Sequence, residues 1–98
     1  MSSLERKRFS ILTNDLTRCY VCGLPKHHLH EVYYGKNRKN SMIYGCVVPL
    51  CYEHHEGNTG VHHNDTLNTK LKIECQKKFK ETYPTLEFSS IFYKSYIK

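Results

Sequence analysis

Two short ligand pairs, Cys19-x-x-Cys22 and Cys51-x-x-His54-His55, constrain this chain more than anything else in it. Two donors separated by two residues can be aimed at one ion by a single backbone turn. Structural zinc sites commonly join two such pairs, remote in sequence, into one tetrahedron. Gly23 directly follows the first pair and tolerates the tight backbone of such a knuckle. The expectation is a zinc ion held by Cys19, Cys22, Cys51 and one of the adjacent histidines His54 and His55, with His54 repeating the two-residue interval. Three thiolates make that site closed and structural, so ion binding contributes directly to folding. Of the remaining cysteines, Cys75 reads as a small core residue, and Cys46 as either a core residue or a substitute ligand.

A chain of this kind needs such a staple. Its 98 residues have room for one domain, and a hydrophobic share of 39% with mean hydropathy −0.63 leaves a thin interior. No stretch reaches the roughly 18 to 20 apolar residues of a membrane span, and no apolar signal core follows the opening Met1-Ser-Ser-Leu-Glu-Arg-Lys-Arg8. The expectation is therefore a soluble cytoplasmic protein without a membrane partner, where thiols stay reduced and close cysteines bind metal. Fifteen Lys and Arg against nine Asp and Glu give a formal charge of +6. That sign suits a polyanion, nucleic acid first, although a solvated basic surface has the same composition.

The chain reads as one α+β domain over 1–98: a polar lead (1–18), a knuckle and ββα core (19–65), then a C-terminal helix and aromatic tail (66–98). Phe9, Ile11, Leu12 and Leu16 suggest that the lead packs on the body as a brief strand or turn. Residues 29–34 carry the β-branched and aromatic bias of a strand, and 42–50 read as its antiparallel partner. The basic stretch 35–41 would then be the loop at the hairpin tip. A short helix opens at Cys51, and Gly57-Asn-Thr-Gly60 breaks it. Asn64 or Asp65 can cap a helix over about 66–82, where Leu67, Leu71, Cys75 and Phe79 recur every four residues, and Pro84 ends it. The aromatic tail reads as packing rather than a base-stacking platform.

Several donors remain once the first site takes its four. His30 and Glu31 lie in the first strand, His55 follows His54, and His62 follows the glycine break. Imidazole and carboxylate suit a divalent ion that keeps open positions, such as Mg²⁺, Mn²⁺ or Zn²⁺, and a neutral histidine beside it can deprotonate water. Lys36, Arg38 and Lys39 of the basic stretch would meet flanking phosphates. His27, His28 and His63 read as ordinary surface or packing histidines.

The succession Cys19-x-x-Cys22, Leu29-His-Glu-Val, Gly35-Lys-Asn-Arg-Lys-Asn-Ser41, Val48-Pro-Leu-Cys51-x-x-His-His55 and Gly60-Val-His62 resembles the HNH, or His-Me finger, nuclease superfamily. Within it, the chain looks like the small HNH-like proteins of phages of Gram-positive bacteria. The likeness covers about residues 19 to 96. It implies a ββα-metal fold, with 29–50 as the hairpin and the stretch from Cys51 as the helix. It also implies His30 as general base and His55 and His62 as ligands of a catalytic metal, with Glu31 the alternative base. DNA would be the partner and the host cytoplasm the location. Two departures stand out: the strand pair is His30-Glu31 rather than Asp-His or His-His, and no Asn lies near Gly45-Cys46. The sequence thus points to a metal-dependent DNA endonuclease with a structural zinc. The alternatives are an inactive zinc module that binds nucleic acid or a host protein, and a small effector that blocks a host enzyme.

Overall fold

A computed structural model describes residues 3–97 of the chain. It is α+β. Helix α1 spans Ser3–Arg6, strand β1 His28–Glu31, helix α2 Arg38–Tyr44, strand β2 Val47–Leu50, helix α3 Tyr52–His55, helix α4 Asp65–Thr82 and helix α5 Phe88–Phe92. The two strands pair antiparallel, with His30 opposite Val48 and Glu31 opposite Val47. The Cα radius of gyration, 12.8 Å, is that of a single packed unit of this length, for which about 12.6 Å is typical. Among the described residues, no helix is long and apolar enough to cross a membrane.

The segment between the strands departs from the expected hairpin. Instead of a basic loop at 35–41 and a strand over 42–50, the chain makes a 3-10 turn at Gly35–Asn37, then α2, and enters β2 only at Val47. The physical reason lies at Ser41 and Gly45. The fully buried Ser41 hydroxyl accepts from Tyr33 N at 3.1 Å and donates to Tyr33 O at 2.6 Å, so a side chain satisfies backbone groups that a longer β2 would have paired. Gly45 then closes α2 in the left-handed region (φ 76°), donating its N–H to Ser41 O. A Cβ there would lie 2.5 Å from the Phe9 ring, so the residue that stops the helix also seats the N-terminal lead. Ile11 N adds a 2.9 Å bond to Gly45 O. The lead therefore packs on the body through turns, as an irregular strap after one turn of α1, rather than as a strand.

Helix α4 follows its four-residue pattern. Leu71, Cys75 and Phe79 are buried, Leu67 is half-buried, and the Asn64 side chain accepts from Leu67 N at 3.2 Å as the N-cap. Facing it, Tyr33 meets Phe92 at 4.6 Å and Phe88 at 5.1 Å between ring centroids, and Phe79 meets Phe88 at 5.4 Å. The tail is thus core through Phe88 and Phe92. Cys46 and Cys75 are both buried in the same cluster, and contact with Cys75 together with burial pushes the Cys46 thiol up, out of the range of metal-binding thiolates.

Truncating Phe79 to alanine at the centre of this cluster is expected to cost about 3–5 kcal/mol, against about 1 kcal/mol for Asn64→Ala at the cap. Urea unfolding of the metal-loaded proteins measures both.

Candidate metal centre

Backbone contacts bring the two ligand pairs together. The Cys19–Cys22 knuckle is closed by Gly23 N to Cys19 O at 2.9 Å, and Tyr20 N donates to Pro49 O at 2.8 Å, hanging the knuckle on β2 just before Cys51. Cys51 is the residue preceding α3, and His54 lies one turn on. The ligand atoms of Cys19, Cys22, Cys51 and His54 all lie within 4.8 Å of one another and could hold a metal ion such as zinc.

The individual separations decide what the cluster is built for. With Zn–S of 2.3 Å and Zn–N of 2.0–2.1 Å, a tetrahedron has S–S edges of about 3.8 Å and S–N edges of about 3.5 Å. Cys22 Sγ lies 3.7 Å from Cys51 Sγ, Cys19 Sγ 3.7 Å from His54 Nδ1, and Cys51 Sγ 3.3 Å from His54 Nδ1. The sulfur–sulfur gap is far beyond the roughly 2.05 Å of a disulfide. These three separations match edges of such a tetrahedron. Burial opposes ionisation of Cys19, but the backbone N–H groups of Cys51, Cys22 and Val21 and the His54 ring outweigh it and bring its pKa to about 6. One thiol is thus poised as the thiolate a metal needs. His54 supplies the fourth donor of this set, and Cys46 is not among them.

His55 turns to a second cluster. Successive residues of a helix are about 100° apart, so α3 aims His54 at the cysteines and His55 past them. There, one ring nitrogen from each of His30, His55 and His62 lies within 4.8 Å of the others. His62 arrives through a close backbone approach. A Cβ on Gly60 would sit 2.7 Å from Glu53 O and 2.8 Å from the His54 carbonyl carbon, and Val61 N donates to His54 O at 2.9 Å. Only glycine lets the chain pass so near α3 before presenting His62.

This second set also fits an ion. His62 Nε2 and His55 Nε2 are 3.1 Å apart, near the edge of about 3.3 Å expected of two imidazoles on one zinc. His30 is 3% exposed, and its buried Nε2 has no hydrogen-bond partner. His55 Nδ1 is likewise unbonded: Glu56 Oε1 stands 3.2 Å away, but out of line for a hydrogen bond. Burial, then the neighbouring imidazoles of His55, His62 and His28, lower the His30 pKa to about 3. Burial and the His28 and His62 rings take His55 to about 4. Both rings are therefore neutral near pH 7, the state in which imidazole binds metal.

Glu31 does not join them. Adjacent strand residues face opposite sides, and its carboxylate receives Arg8 Nη2 at 2.6 Å and Nε at 3.1 Å, with Arg38 Nη2 at 3.5 Å. The expectation of Glu31 as a base or metal-side carboxylate is corrected accordingly: it anchors the N-terminal strap to β1. The basic stretch changes meaning too. Arg38 pairs with Glu31 and, at 3.5 Å, with Glu5, and Lys36 lies 5.1 Å over the Tyr93 ring, leaving Lys39 exposed. His28, read as a surface or packing residue, is exposed and stacks on His55 at 4.6 Å. Its alternation with His30 along β1 puts both on one face and was the available signal.

No family model, curated protein or solved structure matches the chain.

Metal analysis of the purified chain is expected to find at least one tightly held equivalent of an ion such as zinc. Cys51→Ser removes it and lowers the melting temperature sharply. Glu31→Gln, which weakens the Arg8 pair, lowers the melting temperature while leaving that equivalent bound.

Proposed function

We propose that the chain is a metal-dependent endonuclease that hydrolyses DNA phosphodiester bonds. In this reading Cys19, Cys22, Cys51 and His54 hold a structural zinc, and the histidine centre holds a second divalent ion. The observation that carries the proposal is the histidine trio itself: three imidazoles converge, and the innermost keeps a buried nitrogen without a protein partner. A buried polar atom left unsatisfied is costly and points to a ligand or a reacting group. Strand β1 supplies His30 and helix α3 supplies His55, the two elements from which the resemblance would draw a base and a metal ligand, and the +6 charge suits a polyanionic substrate.

His55 and His62 are the ligands in this proposal. An all-imidazole pair favours Zn²⁺ or Mn²⁺ over Mg²⁺, which prefers oxygen donors. When bound, such an ion supplies positive charge to the scissile phosphate and to the oxygen that leaves. His30 is the proton acceptor. Its ring is fixed by burial between β1 and α3, so it is already oriented when water approaches. The water oxygen forms the new P–O bond, its proton passes to His30, the ester P–O bond breaks, and solvent protonates the departing alkoxide. His62 lies at the open side of the trio, where a substrate would enter.

Supercoiled plasmid incubated with the protein and Mn²⁺, Zn²⁺ or Mg²⁺ is expected to be nicked, and His30→Ala and His55→Ala are each expected to lower the rate at least a hundredfold. Metal stoichiometry separates the roles: His55→Ala loses the second ion, whereas His30→Ala keeps it. Absence of nicking with every metal, together with retained salt-sensitive DNA binding, would instead establish a non-catalytic zinc module.

A further inference from the structure

Of the cations expected to meet DNA, Arg38 pairs with carboxylates, Lys36 lies over Tyr93 and Lys39 is exposed, and a further cation lies beside the Tyr34 ring that borders the histidine centre. Lys72 of α4 stands there. It is half-buried, and its backbone carbonyl accepts the Tyr33 hydroxyl at 2.5 Å, which fixes this turn of the helix to the core. Its Nζ lies 4.5 Å from the centroid of the Tyr34 ring, 3.5 Å from the Tyr34 hydroxyl and 5.3 Å from the Tyr96 ring. Asn68, one turn earlier, donates to the same hydroxyl at 3.1 Å. The Tyr34 ring in turn lies 6.0 Å from His30 and 6.4 Å from His62. Among the described residues, no carboxylate forms an ion pair with Lys72, whereas Lys70, two residues away, pairs with Glu74 at 4.0 Å.

We propose that Lys72, held in place by Tyr34 and Asn68, is an anion-binding group that receives a DNA phosphate next to the one at the histidine centre. Aromatic faces hold a lysine without neutralising it, so its charge remains available and part of its side-chain entropy is lost before any ligand arrives. Tyr34, 45% exposed, forms the shared rim between lysine and histidines and offers a hydroxyl to the same anion. Lys72 thus shares the Tyr34 ring with His30 and His62, and among the described residues its ammonium forms no ion pair with a carboxylate.

The inference builds on the nuclease reading, but the phosphate contact can be measured without cleavage. Lys72→Gln and Lys70→Gln are compared with the unsubstituted protein, each checked for equal zinc content and melting temperature. Nicking kinetics and the salt dependence of binding to a short DNA duplex are both recorded. Lys72→Gln is expected to raise KM roughly tenfold with kcat within about twofold, and to reduce the slope of log K against log salt by about 0.9, the loss of one phosphate contact. Lys70→Gln is expected to change neither. Unchanged KM and slope in Lys72→Gln, while the parent nicks normally, overturn the lysine site and leave the nuclease reading standing. An equal effect from Lys70→Gln also overturns it, because the loss would then be general charge. If the parent never nicks, the nuclease reading falls, and the slope alone decides for or against the phosphate contact at Lys72.

Discussion

Two neighbouring imidazoles on a single helical turn organise this molecule. His54 closes a four-donor set with Cys19, Cys22 and Cys51, and His55, rotated by about 100°, enters a separate trio with His30 and His62. Helix α3 has only four residues, and His55 is its one buried residue, so it could not hold its orientation by packing alone. Coordination at the first set would supply what packing lacks: structural zinc contributes on the order of 10 kcal/mol at neutral pH, comparable to the whole stability of a domain this small. With an ion bound, the first site would be the rigid support on which the second is built.

The core supports the same arrangement from the other side. Tyr33 anchors the α4 carbonyl at Lys72, packs against Phe88 and Phe92, and has its own backbone satisfied by Ser41. Its neighbour Tyr34 then emerges at the rim of the histidine trio. One pair of adjacent tyrosines therefore connects interior and site, as the adjacent histidines connect one ion set to the other. The Arg8–Glu31 pair, with both side chains nearly buried, ties the N-terminal strap to the strand that carries His30.

Much of this was legible in the sequence, and the division has a physical basis. The cysteine pair, the Cys51–His54 interval and the α4 stripe are local patterns whose spacing fixes geometry. Each of these patterns is found in the structure. The recurrence of Leu71, Cys75 and Phe79 is enough to predict which face α4 buries, and Asn64 is enough to start it. What escaped depends on contacts remote in sequence. Helix α2 forms across the expected basic loop and the first residues of the expected strand because Ser41 folds back on Tyr33 and Gly45 meets Phe9. Glu31 carries the composition of an active-site acid, yet an arginine 23 positions earlier claims it. Local composition cannot specify that pairing, nor the alignment of Lys72 with Tyr34 across 38 residues.

The brevity of α3 has an evolutionary consequence. Because a single turn serves both donor sets, inserting or deleting one residue between Cys51 and His55 would swing both rings by about 100° and exchange or abolish their destinations. Neither set can drift in spacing on its own. The stretch from Cys51 to His62 therefore has to be inherited as an indivisible cassette, and variation in length among descendants of this chain should be confined to the strap, the turn before α2 and the tail.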